Sequence, residues 1–286
     1  MKLAPLLPCI ALLPGLAAAQ GITPASGGSR LLATGGGTAF EGAAGGGLVP
    51  WAVLSGYGDR GEASATAFGS VVRVDDYALD VIGASVSIDN RVELSVAKQR
   101  LDIDSVAPGE TLEQSVIGMK LRLGGELVYD TGPQWALGVQ LKSTDTFDVP
   151  QAVGAAADEG VDVYLSASKL WLHGLFGRST FLNGTVRATR ANQTGLLGFG
   201  TTGDTRYRAV GEVSAGVFLN RRWVVGAEYR QKPDRLAAFR EDDWRDVFVG
   251  WFPNKHVSVI AAFADLGSIA GQDEQRGAYL SVELAR

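Results

Sequence analysis

His256 and Ser258 stand two residues apart in the run His256-Val257-Ser258. On an extended chain such a pair points to one side, the relation a histidine base needs to a serine nucleophile, with an acid or amide to orient the ring. The chemistry would be ester hydrolysis, with lipid the substrate class should the pair lie in a membrane. His173, the other histidine, falls in a short connection. Carboxylates gather in three groups: Asp102, Asp104 and Glu110; Asp145, Asp148, Asp158 and Glu159; Asp234, Glu241, Asp242 and Asp243. Clustered carboxylates can hold Ca²⁺ or Mg²⁺, but no spacing here is that of an EF-hand loop, and solvated charge is the simpler reading. The one cysteine is Cys9, so past the N-terminus there is no thiolate for catalysis, disulfides or metal. No catalytic, cofactor or metal residue is therefore assigned.

The first residues, MKLAPLLPCIALLPGLAAAQ, combine basic Lys2, an apolar run from Leu3 to Leu16 and small residues Ala17 to Ala19 before Gln20. That is the form of a cleaved secretory signal over 1–19. Cys9 lies inside the apolar run and before the small-residue site, which disfavours a lipid-modified reading. With 26 Lys and Arg against 31 Asp and Glu, the chain does not resemble a nucleic-acid binder. No uncharged apolar run of membrane-helix length follows the signal.

What could position any chemistry is a period-two pattern. From Arg206 to Gln231, Tyr207, Ala209, Gly211, Val213, Ala215, Val217 and Leu219 form one side, while Arg206, Arg208, Glu212 and Ser214 form the other. After Asn220-Arg221 the alternation restarts with Trp223, Val225, Ala227 and Tyr229 against Arg222, Glu228 and Arg230. Two strands and a tight turn follow, each of about the ten residues that a tilted strand needs to cross a bilayer. Similar alternation runs through Ser64 to Val74, Tyr77 to Ile88, Arg91 to Leu101, Val116 to Leu123, Gln134 to Lys142, Val161 to Leu172, Thr180 to Arg190, Trp244 to Trp251, Val257 to Asp265 and Gly277 to Ala285. Lys98 and Arg100 break the apolar phase, which predicts a bulge or a head-group boundary there.

The pattern predicts an all-β fold: a transmembrane, antiparallel, up-and-down β-barrel of about 12 strands over 48–286. The count becomes 14 if the Gly-rich segment 20–47 forms a first hairpin; that segment is otherwise an arm or a plug. Charge facing lipid at mid-bilayer costs about 2–4 kcal/mol, so the polar face turns inward. It assigns Arg91, Glu93, Lys120, Arg122, Lys142, Arg187, Arg206, Arg208, Glu212, Arg222, Glu228 and Arg230 to the lumen. Mixed signs fit either a charge-lined pore or a lumen closed by ion pairs. Trp51, Trp135, Tyr207, Trp223, Tyr229, Trp251 and Tyr279 are placed as an aromatic girdle.

Short connections (Asp89-Asn90, about Gly124 to Pro133, His173 to Ser179, Asn220-Arg221, Asn254-Lys255) alternate with longer ones (about Asp102 to Thr111, Ser143 to Gly160, Ala191 to Thr205, Lys232 to Asp243, Leu266 to Arg276). Short turns in outer-membrane barrels face the periplasm, which puts the C-terminus there. His256 follows a short turn, on the side away from the outer leaflet, and this weakens the hydrolase reading. A soluble periplasmic β-barrel binding a small ligand is the other alternative.

The run Gly35 to Gly58, GGGTAFEGAAGGGLVPWAVLSGYG, with Glu41 to Gly47 and Pro50-Trp51 as its distinctive part, and RVELSVAKQRLD from Arg91 to Asp102 resemble a family of proteobacterial outer-membrane β-barrel proteins of unknown function. The resemblance implies a fold and an outer-membrane location, and no activity. The chain departs from many such barrels in ending Leu284-Ala285-Arg286 rather than on an aromatic residue. The expectation is a non-enzymatic, monomeric, porin-like narrow channel or structural envelope component, with no cofactor. Its partners are membrane lipid, lipopolysaccharide and the outer-membrane assembly machinery.

Overall fold

The computed structural model describes Thr23, Pro24 and residues 30–236 and 238–286; the expected signal over 1–19 lies outside these. Twelve long strands make the wall: β1 (Glu62–Val74), β2 (Ala78–Ile88), β3 (Val92–Asp102), β4 (Thr111–Gly124), β5 (Gln134–Thr144), β6 (Glu159–Trp171), β7 (Thr180–Thr189), β8 (Arg208–Phe218), β9 (Trp223–Arg230), β10 (Trp244–Asn254), β11 (Val257–Asp265) and β12 (Arg276–Ala285). Each pairs antiparallel with the next, and β12 pairs antiparallel with β1, from Gly277↔Val74 to Ala285↔Thr66. The sheet is closed, so no edge is left to aggregate.

The side chains are distributed in the inverse of a soluble barrel. Outward positions are apolar and uncovered, as at Ile82 (68% exposed), Val186 (60%) and Val247 (60%), whereas Glu93, Gln99, Lys120, Gln140, Arg187 and Glu212 are buried inward. A protein in water would bury the first set and expose the second. An apolar belt around a closed barrel faces lipid, so the chain spans a membrane. Trp135, Trp171, Trp223 and Trp251 face outward near the short-turn end, the last two stacked with centroids 5.8 Å apart. Tyr207 and Tyr229 lie toward the opposite end. Two expected members of the girdle are elsewhere: Trp51 and Tyr279 are buried inside the barrel. Trp51 does not belong to the wall, and Tyr279 has the inward parity of β12.

Lys98 and Arg100 cause no bulge, because β3 keeps one register with both neighbours. They lie in an outward polar band near the longer loops, with Lys98 2.9 Å from Glu113, Arg73 2.6 Å from Asp80, and Arg245 and Arg276 at 2.7 and 3.2 Å from Asp265. The ladder shifts instead between Arg122 and Gly124 and between Trp251 and Asn254. Asp89 and Asn90 make the β2–β3 turn with φ of +57° and +48°, the left-handed pair of a tight hairpin.

The wall begins at Glu62, not at 48. Every residue from 33 to 58 is buried, folded inside the barrel with a two-residue ladder, Gly37–Thr38 against Ala44–Gly45. Apolar Trp51, Val53 and Tyr57 mimic a strand in sequence, but here the segment is enclosed on all sides and no face is selected for lipid.

Leu165 sits outward near the middle of β6, opposite Leu137 and Val186. Leu165→Arg is expected to cost about 2–4 kcal/mol, read as a lower urea midpoint for loss of the heat-modifiable folded band.

Candidate functional site

Five neighbouring strands each turn one charge inward at a similar level: Lys142 on β5, Asp162 on β6, Arg187 on β7, Glu212 on β8 and Arg230 on β9. Lys142 Nζ donates to Asp162 Oδ2 at 2.7 Å, and Arg187 donates from Nη1 to Asp162 at 3.3 Å and from Nε to Glu212 at 2.5 Å. Arg230 Nε lies 3.7 Å from Glu212. Three cations face two anions across this arc.

The missing negative charge comes from the luminal segment. Glu41 stands at the tip of its small hairpin, before Gly42 at φ +95°. Arg230 grips it with two nitrogens, Nη1 to Oε2 at 2.8 Å and Nη2 to Oε1 at 2.9 Å; Arg187 Nη2 is 3.3 Å from Oε2, and Lys142 Nζ also donates to it. All four side chains are buried. Charges removed from water need this kind of near-complete pairing.

Other wall groups hold the segment by its backbone. Glu93 accepts from Ala44 N at 3.1 Å and Ser55 N at 2.7 Å, while Lys120, 3.3 Å from Glu93, donates to Ala44 O at 2.8 Å and Val53 O at 2.9 Å. Glu228 accepts from Leu48 N at 2.7 Å and from Trp51 Nε1 at 3.3 Å. Trp51 Nε1 also donates to Ser214 Oγ at 2.9 Å, and its ring packs on Phe181 with centroids 4.2 Å apart. Thr185 and Ser166 donate to Pro50 O at 2.9 and 3.3 Å. Such proximity requires glycine: a Cβ on Gly46 would lie 2.0 Å from Glu228 Oε1, and one on Gly42 would lie 3.2 Å from Ala97 Cβ. Two apolar gaps flank the segment, about 30 and 20 Å³ in volume, room for one or two waters each.

Of the residues assigned to the lumen, Glu93, Lys120, Lys142, Arg187, Glu212, Glu228 and Arg230 are buried there. The other five lie at strand ends. Arg91 and Arg222 are exposed beside short turns, and Arg122 is half-buried at the same end, donating to Gly125 O at 2.6 Å. Arg206 and Arg208 are at the opposite rim, donating to Asp204 at 3.1 and 3.0 Å. Parity alone places a side chain on a face and says nothing of its height. The inward charges Glu41, Asp162, Asp246 and Glu283 are absent from that assignment. Glu41 is the sole charge in 33–58, which was a signal available for it.

His256 and Ser258 make no base–nucleophile contact. His256 is exposed, its Nδ1 3.0 Å from Ala285 O, whereas buried Ser258 donates to Gly36 O at 3.4 Å. The short turn before β11 puts the histidine outside the lumen that receives the serine.

The longer loops lock together above the lumen. Glu241 Oε2 accepts from Gln193 N at 2.9 Å, and Lys232 Nζ donates to Gln193 Oε1 at 2.7 Å over the Trp244 ring. Burial pushes the Glu241 carboxyl up to about 7 and draws the Lys232 ammonium down to about 8. Hydrogen bonds from Arg208 and Arg206 hold Asp204 below the usual carboxylate range.

Together these features define a class: a closed 12-strand membrane barrel whose lumen is occupied by a segment of its own chain. The chain belongs to the DUF3034 family, described as a protein of unknown function, whose profile matches residues 34–283 and so takes in the luminal segment with the wall. No curated protein matches it. Among solved structures it is similar to "KdgM porin" (TM-score 0.47, 10% identity, covering 77% of this chain and 98% of that one). It is similar also to the COG4313 outer membrane channel from Pseudomonas putida F1 (0.44, 10%, 78% and 94%) and to outer membrane phospholipase A from Escherichia coli (0.38, 8%, 80% and 94%).

Arg230→Met is expected to cost about 3–5 kcal/mol, because it strands a buried carboxylate; adding Glu41→Gln should return part of that loss in urea unfolding of the double variant. For the loop lock, folded Glu241 keeps its proton to about 7 while the unfolded group loses it near 4.5. Its contribution is full below 4.5 and lost as pH rises through 7. Proteolytic nicking within 231–243 should therefore increase from pH 5 to pH 7, and Glu241→Gln should flatten that dependence.

Proposed function

We propose that this protein is an outer-membrane channel held shut by its own N-terminal segment. The observation that carries the reading is Glu41, which closes the charge balance of the arc from Lys142 to Arg230 from a segment, 33–58, that contributes no strand to the wall. The segment runs into β1 through 59–61, at the short-turn end, and upstream of it Thr23 and Pro24 pair with Glu62 and Ala63 of β1. Neither attachment belongs to the twelve-strand ladder, so residues 33–58 can leave the lumen while that ladder stays intact. The short-turn end faces the periplasm and the longer loops the cell surface, as in other such barrels. The outward band of Arg73, Lys98, Arg100, Arg245 and Arg276 with their carboxylates then sits at the level of lipopolysaccharide head groups. The protein acts as a monomeric channel, and the hydrolase alternative loses its pair, since His256 and Ser258 engage separate partners.

The test is current across planar bilayers. The full chain is expected to be silent or to open rarely, and a variant lacking 30–58 to conduct in steps. A folded deletion variant as silent as the full chain overturns the plug reading.

A further inference from the structure

We infer that the centre of the lumen is a recognition site for a small solute carrying one carboxylate, and that Glu41 fills the site in that solute's place. The inference rests on the plug reading and adds a ligand class to it.

Three observations support it. The first is the form of the contact. Arg230 meets both oxygens of Glu41 through two guanidinium nitrogens, with Arg187 and Lys142 on the same carboxylate. A planar fork on a planar anion discriminates by shape, which a spherical halide cannot satisfy.

The second is charge. Lys142, Arg187 and Arg230 face Asp162 and Glu212, leaving one positive charge that a single carboxylate cancels. A doubly charged phosphate would overshoot the balance in a site where uncompensated charge is costly. The luminal segment supplies no other ionisable side chain of this kind: from 33 to 58 Glu41 alone is charged.

The third is preorganisation. Arg187 is held by Glu212, by Gln140 Oε1 at 2.6 Å and by the Tyr164 ring at 5.1 Å, and Lys142 by Asp162 and by Thr194 O at 3.0 Å. All of these partners belong to the wall or its loops. Two of the three cations thus keep their places whether Glu41 is present or not, which lowers the cost of binding another carboxylate.

Chemical rescue tests the site in the full-length chain. Glu41→Ala removes the built-in carboxylate and leaves room for a free one. Sodium acetate is expected to raise the melting midpoint of this variant, acting at concentrations about tenfold below those at which sodium chloride acts, with sodium phosphate no better than chloride. The wild type and Glu41→Gln, whose space is filled, should gain nothing specific from acetate, and Glu41→Ala/Arg230→Met should lose the response. If Glu41→Ala folds poorly, its refolding yield in acetate against chloride at equal ionic strength gives the same reading. Equal effects of acetate and chloride, or an equal gain in wild type, overturn the proposal. Failure of the plug reading is separable: acetate rescue with a silent deletion variant keeps the site and removes the channel. Current through the deletion variant without rescue keeps the channel and removes the site.

Discussion

Along the arc from Lys142 to Arg230 buried charge is balanced where it stands, and the luminal segment is arranged around that requirement. The arc from Lys142 to Arg230 ends one negative charge short, and Glu41 supplies it with every oxygen in contact. The rest of the luminal segment follows from this anchor. Its carbonyls and N–H groups meet wall residues that would otherwise require water: Lys120 on Ala44 and Val53, Glu93 on Ala44 and Ser55, Glu228 on Leu48. A peptide with only a two-residue ladder of its own can lie buried only when the rest of its backbone is satisfied in this way.

The wall obeys a different constraint, set by lipid. Because no water reaches the outer face, every backbone group must pair within the sheet, and only a closed ladder achieves this. The alternation of Val213 and Ala215 outward with Glu212 and Ser214 inward is the local form of that rule. It is relaxed near the loops, where Arg245, Asp265 and Arg276 face outward because they have left the apolar layer.

The two constraints meet in the glycines. A tight backbone inside a barrel of this size leaves no room for side chains on the approaching face, as Gly46 against Glu228 shows. The run Glu41 to Gly47 thus combines one charge that must be present with side chains that must be absent. That explains why this stretch is distinctive in sequence while forming only a two-residue ladder.

The strands, their number, their facing and most of the lumen's charge were legible in the sequence, because a period of two depends only on neighbouring residues and on the contrast between lipid and interior. Four outward tryptophans cluster near the short turns; three of these, Trp135, Trp223 and Trp251, were legible from their parity. Tertiary structure decided what parity cannot carry. Arg206 and Arg222 share a face with Glu212 and Arg230 but stand beyond the lumen, since height along the barrel depends on where the wall begins and on strand tilt. Trp51 read as a wall residue and lies in the lumen, because its apolar alternation from Leu48 to Tyr57 is the same whether one face meets lipid or every face meets protein. Glu41 lies 101 and 189 residues away from Lys142 and Arg230, and only closure of the barrel around the segment brings the carboxylate to the charges that it neutralises.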